Sequence, residues 1–335
     1  MKVTEACKPR KVPTAEVDTP LLVPSFSSRG FPNLSVLYDF LSSEVPEASL
    51  ISAYDLHHRS LPSESVNSSD MVIVDSGGYE AKQTYDPDDA YVDNRHGKAW
   101  SLEQYRSVLD RLEPFSRAAV VSFDHVGPLP LTEQVASARS LFAQYPRYAS
   151  DFLAKPEADD APFVDAASIA TNIETIADSF CVLGVTEKEL GSSMLERCRN
   201  LLRIRDAFRE ADSEMPIHVF GCLEPLSVLS YFFCGADVFD GLSWLRFAFS
   251  YPEGRVSHGV TDTILRGEWQ YPDGELRAAR WVRNLGVLRN LREAMDQFSE
   301  NRSVGRLTVW ERLGDVLDLV SAAGLSLEGG GFDGW

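Results

Sequence analysis

The chain has 335 residues, 44% of them hydrophobic, which is enough for one large α/β barrel or two average domains and excludes a disordered polymer. Its 32 basic and 50 acidic residues leave a formal charge of −18, which repels polyanions at long range and argues against non-specific nucleic-acid binding. The sequence has no apolar run of membrane-spanning length, no secretion signal in Met1-Lys-Val-Thr-Glu-Ala-Cys7, and five cysteines without Cys-x-x-Cys spacing, so a soluble cytoplasmic protein with reduced thiols and no membrane contact is expected.

In chain order, short apolar runs alternate with amphipathic segments. A first strand is expected at Leu21-Leu-Val-Pro-Ser-Phe26, then a helix over Leu34 to Leu41 with Asn33 as its start signal. The second strand is expected at Leu50-Ile-Ser-Ala-Tyr54. The third is Met71-Val-Ile-Val-Asp75, whose unbroken apolar run fits a strand covered on both faces. Ser101-x-x-Gln104 opens a helix carrying Val108 to Leu112, ahead of a fourth strand at Ala118-Ala-Val-Val-Ser-Phe-Asp124. Thr132 starts a helix over Val135 to Phe142, and Asp151 to Pro162 reads as a surface loop. Pro162-Phe-Val-Asp-Ala166, Phe180-Cys-Val-Leu-Gly184, Ile217-His-Val-Phe-Gly221 and Val238-Phe-Asp-Gly-Leu242 complete the candidate strands. Helices over Ser168 to Ala177, Ser192 to Phe208 and Leu226 to Phe233 lie between them.

This alternation predicts an α/β fold, a (β/α)8 barrel of the TIM type over residues 1–250. Residues 251–335 are expected to add an irregular segment through Gly274 and then helices over Glu275 to Phe298 and Thr308 to Ala323, packed on the barrel as a C-terminal helical extension. The tail Gly329 to Trp335 is expected to fray. Arginines crowd two of the helices, Arg197 to Arg209 and Arg280 to Arg292. They read first as solvated faces paired with nearby acids, and second as candidates for a backbone-binding face.

In a barrel of this kind, functional groups stand at the C-terminal ends of the strands. Here that set is acidic: Asp55, Asp75, Asp124 and Asp240. Taken alone, Asp75, Ser76 and Gly77 are also what a turn closing a strand requires. Several carboxylates converging on one mouth repel each other unless a cation or a shared proton relieves them. Two acids can serve glycosyl transfer, one attacking the anomeric carbon and the other moving the leaving group's proton. Gly77 and Gly78 would let the backbone approach a flat or anionic ligand.

The strings Thr19-Pro-Leu-Leu-Val-Pro24, Ile51-Ser-Ala-Tyr-Asp-Leu-His57, Val74-Asp-Ser-Gly-Gly-Tyr79, Phe123-Asp124, Gly221 with Glu224-Pro-Leu, and Gly235-Ala-Asp-Val-Phe-Asp240 occur in that order. Together they resemble the tRNA-guanine transglycosylase superfamily over residues 18–245. The resemblance implies that Asp240 is the nucleophile that holds the sugar covalently. It implies that Asp75 is the acid and base that protonates the departing guanine and deprotonates the incoming 7-deazaguanine. Asp124 would hydrogen-bond the base edge, Ser76, Gly77 and Gly78 would shape the base pocket, Tyr79 would stack on or wall it, and Gly184 would offer backbone contacts.

The chain also departs from the family. Members that act on tRNA carry a zinc site of clustered cysteines and a histidine after the nucleophile, whereas this sequence has no cysteine after Cys234, so neither a metal nor any other cofactor is expected. The base-binding glutamine of those enzymes has no clear counterpart, Asp165 standing in the candidate fifth strand instead. His57 and His58 read as structural histidines, and Glu187 could reach a sugar. These departures favour DNA over tRNA as the nucleic-acid partner, with a protein partner opening or presenting the base. Base exchange or hydrolysis on a free nucleoside, and a non-catalytic partner subunit of a transglycosylase, stay open.

Overall fold

The computed structural model describes residues 1–31, 33–45, 47–61, 69–81, 98–112, 117–125 and 127–332. Eight parallel strands close into a barrel: β1 (Leu21–Phe26), β2 (Ala48–Ser52), β3 (Met71–Asp75), β4 (Ala118–Val121), β5 (Ala149–Ala154), β6 (Val182–Thr186), β7 (Ile217–Phe220) and β8 (Val238–Gly241). Each strand pairs with the next, and β8 returns to β1 with Asp240 opposite Val23. The expected (β/α)8 barrel with a helical C-terminal region is therefore the observed fold.

The strands are nearly continuous in burial because both of their faces are covered. Alternate side chains divide between two cores. Leu21, Val23, Leu50, Ile73, Val121, Leu153 and Val238 fill the barrel, while Leu22, Ile51, Val72, Val74, Phe152, Val185 and Val219 face the helices. The period of two thus fixes which side chains can meet inside.

One expected strand is wrong and one was missed. Pro162 to Ala166 forms no strand: Asp165 caps a helix over Ala166–Thr171, its carboxylate accepting from the Ala167 N–H at 2.8 Å. The fifth strand is Ala149–Ala154, whose residues from Asp151 onward are expected from the sequence to lie in a loop. Ser150 and Asp151 interrupt its apolar run, yet both are buried. The second strand ends at Ser52, where a helix over Ala53–His57 begins, and the fourth ends at Val121.

Local start signals hold at Ser101, whose hydroxyl accepts from the Gln104 N–H at 3.3 Å, and shift by one residue to Ser193 for the helix Met194–Glu210. The expected helix over Ser168 to Ala177 is two helices, Ala166–Thr171 and Ile173–Ser179, meeting at Asn172.

After the barrel, a helix over Asp273–Asn301 buries Leu288, Leu291, Met295 and Phe298 in the core shared with the barrel's helices. Asn284 ties it to the chain leaving β8, donating to the Trp244 and Phe247 carbonyls and accepting from the Phe249 N–H. The tail does not fray at Phe332, which is buried against Phe233 and Phe298; residues 333–335 lie outside the described residues. No helix among the described residues is long and apolar enough to cross a membrane.

Candidate functional site

The inward register carries past the apolar layers to the strand ends. Asp75 follows Met71 and Ile73 in step, Asp240 follows Val238, and Ser25 follows Leu21 and Val23. They meet at a cavity of about 700 Å3 on the C-terminal side of the barrel, which Ser76, Gly78, Tyr79 and Asp124 also line. Asp75, Asp124 and Asp240 are thus brought together. Asp55 is not a lining residue; it is buried in the helix Ala53–His57 and accepts from the Ser28 N–H at 2.8 Å.

The two central carboxylates have different surroundings. Asp240 is buried among donors: Ser25 Oγ gives its proton to Oδ2 at 2.7 Å and the Gly221 N–H points to Oδ1 at 3.1 Å. Gly221 can do so because its φ of +76° turns the chain sharply as it leaves β7. His218 Nε2 lies 3.3 Å from the same Oδ1.

Asp75 accepts from the Gly77 N–H at 2.9 Å. Desolvation and then the neighbouring Glu80 carboxylate push its pKa up to about 7, with smaller contributions from Asp240 and Asp124. Glu80 is buried as well, and desolvation and Asp55 push its pKa up to about 7 although Ser27 and Ser52 donate to its two oxygens at 2.5 and 2.7 Å. Asp75 and Glu80 titrate as an interacting pair. At neutral pH the Asp75–Glu80 pair can therefore hold a proton in the same cavity as Asp240 with its hydrogen-bond donors, an arrangement suited to acid and nucleophile work.

Around that pair, Gly77 has φ +88°, and a Cβ there would lie 2.7 Å from Tyr54 Cβ. A Cβ on Gly78 would lie 2.6 Å from Asp124 Oδ2, so the absence of a side chain keeps Asp124 in place. Lys155 Nζ sits 3.9 Å from that oxygen and 2.7 Å from Glu189. Tyr79 walls the cavity beneath the Arg29 guanidinium, 4.4 Å from its ring, and its hydroxyl accepts from Arg246 at 2.8 Å. Ser76 accepts at its carbonyl from Trp100 Nε1 at 2.7 Å, which fixes the loop. Gly184 is not at the rim: it lies within β6, paired with His218 of β7.

Several polar groups here were not singled out from the sequence. Ser25, Glu80, Arg29, Lys155 and Arg246 sit at strand ends or in the loops and short helices that follow them, where no motif marks them. Asp151 falls in the segment expected as a loop, although its step with Ala149 and Leu153 points it inward. His218 faces inward with Phe220, on which its ring stacks at 3.7 Å. Glu187 lines the cavity and accepts from Tyr231 at 3.0 Å. His57 and His58 instead pack on Tyr54 and Trp100.

The arginine-rich helices mostly find internal partners: Arg205 is buried, Arg209 pairs with Asp206, and Arg283 pairs with Glu268 and Asp262. Among the described residues no three His, Cys, Asp or Glu side chains are grouped to hold a metal ion, and all five cysteines are free thiols.

Fold and site together define a (β/α)8 barrel with an acidic cavity at the C-terminal ends of its strands. No protein-family model matches the chain, and no curated protein matches it.

Proposed function

We propose that this protein is a base-exchanging transglycosylase that replaces guanine in nucleic acid, DNA in preference to tRNA, with a 7-deazaguanine. One observation carries the reading: Asp240 and Asp75 line one cavity in opposite surroundings, the first among donors and the second crowded by another carboxyl group. The order of sequence strings that resembles the transglycosylase superfamily supports it, since these two residues take the nucleophile and acid–base positions.

In this reading an oxygen of Asp240 attacks C1′ while Asp75 gives its proton to the departing guanine. Asp124, beside Gly78, accepts from the N–H donors of the base edge, and Tyr79 forms the wall. The preference for DNA rests on the sequence, which lacks the cysteines that tRNA-acting members carry after the nucleophile. A base within a duplex must be flipped out to reach C1′, so a single-stranded or opened substrate, or a partner that opens it, belongs to the reading.

The charge around the cavity favours a second reading, exchange on a free nucleoside. Asp75, Glu80, Asp124, Glu187, Glu189, Glu224 and Asp240 surround it, against Arg29, Lys155, Lys188 and Arg246. Incubation with radiolabelled guanine and, in separate reactions, single-stranded DNA, unmodified tRNA and guanosine decides between them, with Asp240→Ala as the blank. Label entering one substrate with the wild type alone supports transglycosylation and names that substrate. Label in none, where a working transglycosylase incorporates it, refutes the proposal.

A further inference from the structure

Below the cavity floor, the same inward register builds a buried polar chain across three strands. Asp151 of β5 places Oδ2 2.7 Å from His218 Nδ1, and His218 of β7 places Nε2 3.3 Å from Oδ1 of Asp240 on β8. Strand β6 lies between β5 and β7, and its residue at this level is Gly184. A Cβ there would come within 2.9 Å of Asp151 Oδ1 and 2.5 Å of the Phe220 ring, so the missing side chain is what lets Asp151 reach the imidazole.

Both ring nitrogens of His218 face carboxylate oxygens. A neutral imidazole has one N–H and would turn a lone pair toward one of the two carboxylates, whereas an imidazolium is bonded to Asp151 and sets its positive Nε2 side 3.3 Å from Asp240. We infer that His218 is a positioning residue, a buried imidazolium held by Asp151 behind Asp240, whose charge eases the return of Asp240 to a free carboxylate; this rests on the transglycosylase reading. Burial opposes the charged ring, but Asp151 and then Asp240 outweigh it and push the pKa up to about 9. Among the described residues the charged groups that face the ring are these two, from β5 and β8, while β6 offers Gly184.

The reaction has two halves. In the first, the bond from C1′ to the base nitrogen breaks, its electron pair leaves with the base, the base takes the Asp75 proton, and Asp240 gives up its charge in forming the ester. In the second, the incoming base nitrogen attacks C1′, the C1′–O bond breaks with its pair returning to Asp240, and Asp75 takes back a proton. A fixed cation behind Asp240 stabilises the anion that leaves in the second half, so its loss traps the covalent intermediate.

The test uses a 5′-labelled single-stranded deoxyoligonucleotide with one guanine. The covalent adduct is followed on denaturing gels and then chased with excess guanine. His218→Gln should form adduct with little change in rate and lose it on the order of 10- to 100-fold more slowly, the scale of one buried charge facing a carboxylate. Asp151→Asn, which keeps the ring, should slow the chase in the same direction. Adduct breakdown at the wild-type rate in both variants overturns the inference.

Nitrogen NMR of 15N-histidine-labelled wild type at pH 7.5 reads the charge without any turnover. Two protonated ring nitrogens on His218 are expected, and a neutral tautomer overturns the inference by itself. Absence of adduct with the wild type removes the reaction reading instead, while the nitrogen shifts still decide whether His218 is a cation.

Discussion

Replacing Asp237 with alanine strips two buried guanidinium groups of a shared partner. Asp237 accepts from Arg10 at 2.9 Å and Arg205 at 2.6 Å, and also from the Ile217 N–H at 2.8 Å, just before β8 enters the barrel. Breaking a buried ion pair costs ~3–5 kcal/mol, because the remaining charge stays desolvated. The lower end applies here, since Arg10 keeps Glu214 and the Ala6 carbonyl while Arg205 keeps the carbonyls of Gly235 and Met215. With an unfolding entropy of ~2.1 cal/mol/K per residue, a chain of this length loses roughly 4 °C in Tm for 3 kcal/mol. Asp240→Asn is the control from the same short string. Its amide keeps an acceptor oxygen for the Gly221 N–H, His218 keeps Asp151, and a negative charge near Asp75 is removed, so its Tm should fall by clearly less than that of Asp237→Ala. Thermal unfolding followed by far-UV circular dichroism measures both. A Tm for Asp237→Ala equal to wild type, or equal losses in the two variants, refutes the assignment of one aspartate to structure and the other to the cavity.

Asp75 and Glu80 have their pKa values raised from 3.8 and 4.5 to about 7, so the folded chain holds protons that the unfolded chain releases. The stability they contribute is full below about pH 4 and is lost as pH rises through about 7. The fall in Tm between pH 5 and pH 8 should therefore be smaller in Asp75→Asn/Glu80→Gln than in wild type, and equal slopes in a fluorimetric melt would sink the argument. Adduct formation, which consumes the Asp75 proton, should decline as pH rises through about 7 in single-turnover assays, and a rate rising over that range would contradict the role given to Asp75. Gly78→Ala drives a methyl group onto Asp124, so KM for the base should rise by on the order of tenfold with Tm nearly unchanged, because the displaced carboxylate lies at the cavity wall. An unchanged KM would show that Asp124 does not hold the base.

The barrel was legible in the sequence because most of its strands are uninterrupted apolar runs, as in Met71 to Val74 and Ala118 to Val121. The fifth was not, because Asp151 and Ser150 break the run, and a buried carboxylate within a strand looks like a loop until its partner is known. That partner, His218, lies two strands away and is paired through a glycine, a relation that spacing along the chain does not carry. Asp75 and Asp240 were legible for the opposite reason: each closes an apolar run at a strand's C-terminal end, beside glycines. Glu80 was invisible because nothing in Gly78-Tyr-Glu-Ala81 says that Ser27 and Ser52, from two other strand ends, will close over it.

The roles proposed for the two central carboxylates follow from those less legible residues. Register alone makes Asp75 and Asp240 equivalent, both inward and both last in an apolar strand. Ser25 and the Gly221 N–H bond to Asp240, and His218 lies beside it. Glu80, itself fixed by two serine hydroxyls, sits beside Asp75 in the same desolvated pocket, and the pair holds on to protons toward neutral pH. The proposed reaction needs a nucleophile and an acid in one mouth, which requires something other than residue type to tell the two carboxyl groups apart. In that proposal the distinction rests on the second ring of polar side chains, so changing Glu80 or His218 should alter the chemistry of the cavity while Asp75 and Asp240 remain in place.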